Sequence, residues 1–153
     1  MRKIKIQDIK GLSINGIQYE TALDRGTKNC GHFDWHPTKL TANFKSNEIK
    51  GGIVNFWNSE FSFKKVETHT DAEIFHVTEG NAIMIFADVE DDTVVEESVQ
   101  IVRVPQNTRL IIEAGKGHFA PILSAPGRGT MVVACPEMTA FFHDFEEEVV
   151  GYF

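Results

Sequence analysis

The chain has 153 residues, 42% of them hydrophobic, which is enough for a single domain with a buried core. Fifteen Lys and Arg against 22 Asp and Glu give a formal net charge of −7. That balance counts against a general binder of nucleic acid or anionic membrane, because neutralising phosphates takes clustered cations and none cluster here. No apolar run approaches the roughly 18 residues a membrane span needs, and MRKIKIQDIKGL alternates Ile with polar residues instead of forming a secretory signal. A cytoplasmic protein with a small-molecule partner is expected.

In chain order, KIKIQDI reads as an N-terminal strand. Residues 23–37, LDRGTKNCGHFDWHP, lack periodicity and read as a long loop or arm; the Cys30, His32, His36 group within it fits no metal-site spacing. Cys30 and Cys135 are not in a CxxC pair, and a reducing cytosol predicts two free thiols. From TANFKS through GTMVVACP, period-2 segments bounded by Gly, Asn, Asp and Pro recur, the pattern of a sandwich or barrel. The Gly80-Asn81 pair predicts a tight hairpin between EIFHVT and AIMIFAD, Glu90-Asp91-Asp92 the next turn, and Pro105 the end of the strand through Val104. Near the C-terminus, Met138, Phe141, Phe142, Phe145 and Val149 recur at helical spacing, so a short amphipathic helix is expected. Trp35, Phe33 and Trp57 read as core or dimer contacts. The whole chain reads as one domain, with an N-terminal strand and arm (1–37), a barrel (38–136) and a C-terminal segment (137–153).

The chemistry concentrates between residues 67 and 118. In extended chain, residues i and i+2 share a face, so Glu67 and His69 point together, and Glu73 shares its face with Phe75 and Val77. A bend at Thr70-Asp71-Ala72 would bring the two faces together. His118 follows Gly115 and Gly117, whose turn allows close backbone approach, and it can join the group. Two imidazoles with one or two carboxylates form a ligand set for Fe(II), Mn(II), Ni(II) or Zn(II). Glu67 and Glu73 are also candidates for general acid and base. Arg109 and Lys116 are candidates for holding a substrate carboxylate. His76, alternating with Phe75 and Val77, should face away from this group.

These residues resemble the two motifs of the cupin superfamily. His69, three residues, Glu73, six residues and Gly80 match the first motif, with Glu67 where its first histidine usually stands. Gly115 and His118 match the second, with Glu113, Asn107 and Ile122 replacing its proline, leading glycine and asparagine. The resemblance implies an all-β jelly-roll barrel, the double-stranded β-helix of that superfamily, and a homodimer. A narrower likeness is to the ureidoglycolate lyase family, with its Glu-x-His-Pro, Gln-Ala-Phe and Trp-His-His-Pro-Leu segments. Glu67, His69 and Phe75 match the first part and His118, Pro121 and Leu123 lie near the last, while Thr70 replaces the proline and Phe119 the second histidine. That likeness implies a lyase acting on a C–N bond, releasing glyoxylate from ureidoglycolate. The alternatives are a sugar or sugar-acid isomerase and a non-catalytic small-ligand-binding cupin.

Overall fold

The structure, a computed structural model, describes residues 1–21, 28, 29, 31, 32 and 34–153. Among them are strands and no helix. A large sheet holds β1 (Arg2–Lys5), β2 (Gln7–Asp8), β7 (Ser62–Thr68), β9 (Ala82–Glu90), β10 (Thr93–Val104), β12 (Gly117–His118), β13 (Ile122–Leu123) and β15 (Phe141–Tyr152). A smaller sheet holds β3 (Ile17–Thr21), β6 (Gly52–Trp57), β8 (Glu73–Glu79), β11 (Thr108–Ile112) and β14 (Arg128–Ala134), in the order β3-β11-β8-β14-β6. The remaining pair, β4 (Lys28–Asn29) and β5 (Asp34–Trp35), forms a small ribbon within the aperiodic stretch. Within that stretch residues 23–27, Cys30 and Phe33 lie outside the described residues, and with Cys30 the expectation for its thiol; Cys135 is free.

Two apolar cores follow from the sequence pattern. Alternate residues of both sheets, among them Phe56, Phe75, Met84, Phe86, Leu110, Ile112 and Met131, fill the space between the sheets. A second core, with Ile6, Phe63, Val66, Ile83, Ile85, Ile101, Phe145 and Val149, lies on the opposite face of the large sheet. Strand β9, AIMIFADVE, serves both, so its run from Ala82 to Ala87 is apolar and buried without a break. The large sheet encloses the second core by curling on itself. Its last strand, β15, pairs in parallel with β1, and β10 pairs in parallel with β2. Between β1 and β2 the Ile6 N–H donates to the Tyr152 carbonyl at 2.7 Å, so one extended N-terminal segment joins the two margins of the sheet. The alternation of KIKIQDI serves this closure, with Ile4 and Ile6 turned to the core and Lys3, Lys5 and Gln7 to solvent. The result is a jelly-roll barrel of the cupin type.

Two expectations are corrected. Gly80-Asn81 does not close a hairpin, because β8 and β9 lie in different sheets. It is a corner: Gly80 has φ +78°, and a Cβ there would meet Leu123 Cδ1 at 2.5 Å, while Asn81 takes the Gln106 N–H on its side chain and the Ser124 N–H on its carbonyl. The C-terminal helix is instead the long strand β15. Its register against β7 slips between Asp144 and Val149, turning Glu147 out to solvent. Phe145 and Val149 are thereby the inward residues, four apart, and mimic helical spacing. Of the two readings for Trp35 and Trp57, core or dimer contact, exposure removes the first; Trp57 shares the outer face of the β6–β14 pair with Ile53 and Val132. The turn at Asp91 and Asp92, both at positive φ between the paired strands β9 and β10, forms as expected.

Candidate functional site

The chain crosses from the large sheet to the small one at Thr70-Asp71-Ala72, as the sequence suggests. Asp71 builds the crossing. Its buried carboxylate accepts the backbone N–H groups of Lys45, Ser46 and Ala72, at 3.0, 3.3 and 2.9 Å. His69 therefore leaves the end of β7 and Glu73 begins β8 on the facing wall. The third element, β12, lies between β7 and β9, with His118 directly opposite Glu67. That insertion needs glycine: a Cβ on Gly117 would meet the Ala87 carbonyl at 2.9 Å. Gly115, at φ +79°, shapes the turn before it and donates its N–H to the His69 carbonyl at 2.9 Å.

Both imidazoles are oriented through Nδ1. His118 Nδ1 lies 3.0 Å from the Lys116 carbonyl and His69 Nδ1 lies 3.3 Å from the Thr139 carbonyl. A carbonyl only accepts, so each Nδ1 carries the proton and each Nε2 presents its lone pair to the site. Those two nitrogens face one carboxylate oxygen: Glu73 Oε2 is 2.8 Å from His118 Nε2 and 3.6 Å from His69 Nε2. Despite these distances the buried Oε2 accepts no well-formed hydrogen bond. Three acceptors thus converge with no donor among them, an arrangement that calls for a cation, either a proton or a metal. Glu67, His69 and His118 each bring one ligand atom into a group within 4.8 Å of one another. Glu67 has no hydrogen-bond or ion-pair partner among the described residues, leaving its carboxylate free toward the cavity.

The cluster lies in the wall of a cavity of about 450 Å³ between the sheets. The other walls are largely apolar, with Val54, Phe75, Phe119, Pro121, Met131 and Val133, while Lys50 and Glu137, paired with each other, stand at the rim. Phe75 meets the His118 ring edge-on, centroids 5.8 Å apart. Cys135 also lines the cavity, and its thiol is pushed up by burial and then by the negative charge of Glu73. Its part in the cavity was legible: Met131, Val133 and Cys135 fall two apart in MVVACP and so share a face.

The structure brings Glu67, His69, Glu73 and His118 together, and leaves Arg109 and Lys116 elsewhere. Arg109 lies on the outer face of the small sheet, opposite His76 in register and bound to Glu20 Oε1 at 3.1 Å. Strand alternation explains this, since its neighbour Leu110 takes the inward place. His76 faces away from the cluster, as expected, and its pKa is lowered by partial burial and then by the Arg109 charge. Lys116 is buried, but its ammonium reaches Asp88 at 2.8 Å in a second, smaller hollow. Lys116 lies in the turn before β12, outside the strand, so alternation does not place it, and what it gives the site is its carbonyl, which meets His118 Nδ1.

Two facing sheets with imidazoles and carboxylates in the cavity between them define a cupin-type barrel with a candidate metal or acid-base centre. No protein-family model matches the chain, and no curated protein does. Solved structures of similar fold include QdtA, a sugar 3,4-ketoisomerase from Thermoanaerobacterium thermosaccharolyticum in complex with TDP, at 8% identity and a TM-score of 0.49, covering 82% of this chain and 84% of that one. RmlC, a dTDP-6-deoxy-D-glucose-3,5-epimerase from Legionella pneumophila, is similar at 10% identity and 0.48, covering 95% and 75%. A 3,4-ketoisomerase from Helicobacter canadensis is similar at 11% and 0.46, covering 88% and 87%. At such identities the likeness is one of fold alone. The expected lyase acting on a C–N bond is corrected: the similar proteins are isomerases and epimerases, and Phe119, where the lyase family has its second histidine, packs against the large-sheet core.

Proposed function

We propose that the protein is an isomerase of small carbonyl compounds, moving a proton between carbon and oxygen in the cavity beside His69, Glu73 and His118. The observation that carries this reading is the convergence of two Nε2 lone pairs and Glu73 Oε2 on one point with no donor among them. Such a point holds a positive charge where an enolate oxygen develops negative charge. Glu67, unpartnered and on the same face as His118, is placed to take the proton from the carbon next to the carbonyl. The C–H electron pair then becomes the C=C bond of an enolate, and a proton held at Glu73 passes to its oxygen. Where the first carbon carries a hydroxyl, that hydroxyl then gives its proton back to Glu73 and becomes the new carbonyl, while Glu67 returns its proton to the former carbonyl carbon, so both carboxyl groups end as they began. The Nδ1 contacts to Lys116 and Thr139 keep both rings in place throughout.

A divalent transition metal, Mn, Fe, Ni or Zn, fits the same donors: His69, Glu73 and His118 with Glu67 would hold it, and it would supply Lewis acidity at the carbonyl oxygen. The test is deuterium exchange. Ketones and aldehydes incubated with the protein in D2O are expected to take up deuterium beside the carbonyl, read by NMR, and Glu67→Gln is expected to slow the uptake. Compounds that bind and are recovered without deuterium would overturn the isomerase in favour of a ligand-binding cupin.

A further inference from the structure

We infer that the cavity takes a neutral small molecule with an apolar body and a carbonyl end, and rejects anionic ligands such as nucleoside diphosphates. The inference rests on the reading that this cavity is the substrate site, and adds the class of substrate. Three carboxylates, Glu67, Glu73 and Glu137, face the cavity, and among the described residues the only cation lining it is Lys50. That ammonium is already paired with Glu137. Nearby cations are engaged outside it: Arg109 with Glu20, Lys116 with Asp88, Arg128 with Glu79, Lys45 with the Thr70 carbonyl, and Lys65 over the Phe142 ring, 4.1 Å from its centroid. A divalent ion at the centre would be matched by the two carboxylates holding it, so it would not make the cavity a well for anions.

A phosphate or carboxylate entering here would leave water for a low-dielectric wall lined with like charge. An apolar body fares differently. Phe75, Met131, Val54 and Val133 offer it a wall, and Phe75 stands edge-on to His118, so a ring or branched chain against Phe75 brings an attached carbonyl to the imidazoles. A cavity of about 450 Å³ suits a molecule of this kind.

The test is a fragment library with equal numbers of neutral, cationic and anionic members, screened by ligand-observed NMR beside thymidine diphosphate. Neutral carbonyl fragments are expected to bind, and anionic analogues carrying the same apolar body to bind about tenfold more weakly or not at all. Ala120 is an exposed residue at the cavity, so Ala120→Trp is expected to block the hits without shifting the unfolding midpoint. Glu137→Gln, which frees Lys50, is expected to narrow the gap between neutral and anionic analogues. Thymidine diphosphate binding as tightly as the neutral hits, hits that survive Ala120→Trp, or a screen without neutral hits would each overturn the inference. Binding without deuterium exchange would remove the isomerase and leave this inference standing; exchange on an anionic compound would do the reverse.

Discussion

His118 Nε2 and Glu73 Oε2 stand 2.8 Å apart, yet one belongs to the large sheet and the other to the small one. The contact spans the gap between the sheets, where a buried carboxylate is costly unless a positive charge meets it. Whatever supplies that charge also ties the two walls together, so function and stability are linked at this point.

If the charge is a metal, protein purified without added metal should carry about one transition-metal ion per chain by elemental analysis. His118→Ala should lose it. A chelator should lower the unfolding free energy of the wild type by about 2.7 kcal/mol when free metal had stood at a hundred times its dissociation constant, and the unfolding midpoint with it. Metal-free protein indifferent to chelators would leave protons as the only cations at the site.

Replacing Glu67 by Gln keeps shape and removes the proposed base. Deuterium exchange should fall by about 10²- to 10⁴-fold with folding intact, since Glu67 is half-buried and has no partner to lose. Glu67→Asp should recover part of the rate, read in the same NMR assay.

Asp88 offers a check away from the site. The Lys116 ammonium, donating to Asp88, holds its carboxyl below the usual 3.8, with the Asn15 amide adding to the effect and burial opposing it. The folded value lies below the unfolded one, so the stabilisation is complete above about pH 4 and is lost as pH falls through the folded value. Asp88→Asn strands the buried Lys116 ammonium and should cost about 2 kcal/mol at pH 7. In urea unfolding the difference from wild type should shrink at pH 3.

Gly80 should tolerate no side chain. Gly80→Ala combines a backbone at φ +78° with a Cβ 2.5 Å from Leu123 Cδ1, and should cost about 2 kcal/mol or more in thermal unfolding. Gly11, also at positive φ but with open space around it, should lose less on the same change.

How much of this was readable beforehand divides along a physical line. Strand alternation is local, so KIKIQDI, AIMIFADV and the residues sharing a face with His69 or Glu73 announced themselves. The bend at Thr70–Ala72 was legible too, because Asp71 is a residue that caps turns. Which sheet a strand joins is not local. Gly80-Asn81 has the composition of a hairpin turn, and only the pairing of β8 with β11 and β14 makes it a corner. The register slip in β15 was hidden for the same reason: three consecutive glutamates give no sign that Glu147 turns outward where strict alternation would bury it. Arg109 was misplaced because a cation near a motif says nothing of the face it occupies, whereas its inward neighbour Leu110 did.

The closure of the large sheet by residues 2–8 also orders events in time. Arg2 to Lys5 register with Val149 to Tyr152, nearly the full length of the chain away. β1 can pair only once β15 is in place, so its docking depends on the far margin of the sheet having formed. Long-range pairing of this kind makes assembly slow, on the order of milliseconds to seconds. Until then Ile4, Ile6 and the margins of β15 and β10 stay open to water and to other chains. Residues 2–8 are thus the latch of the barrel, and the surface that Ile4 and Ile6 cover is the apolar second core.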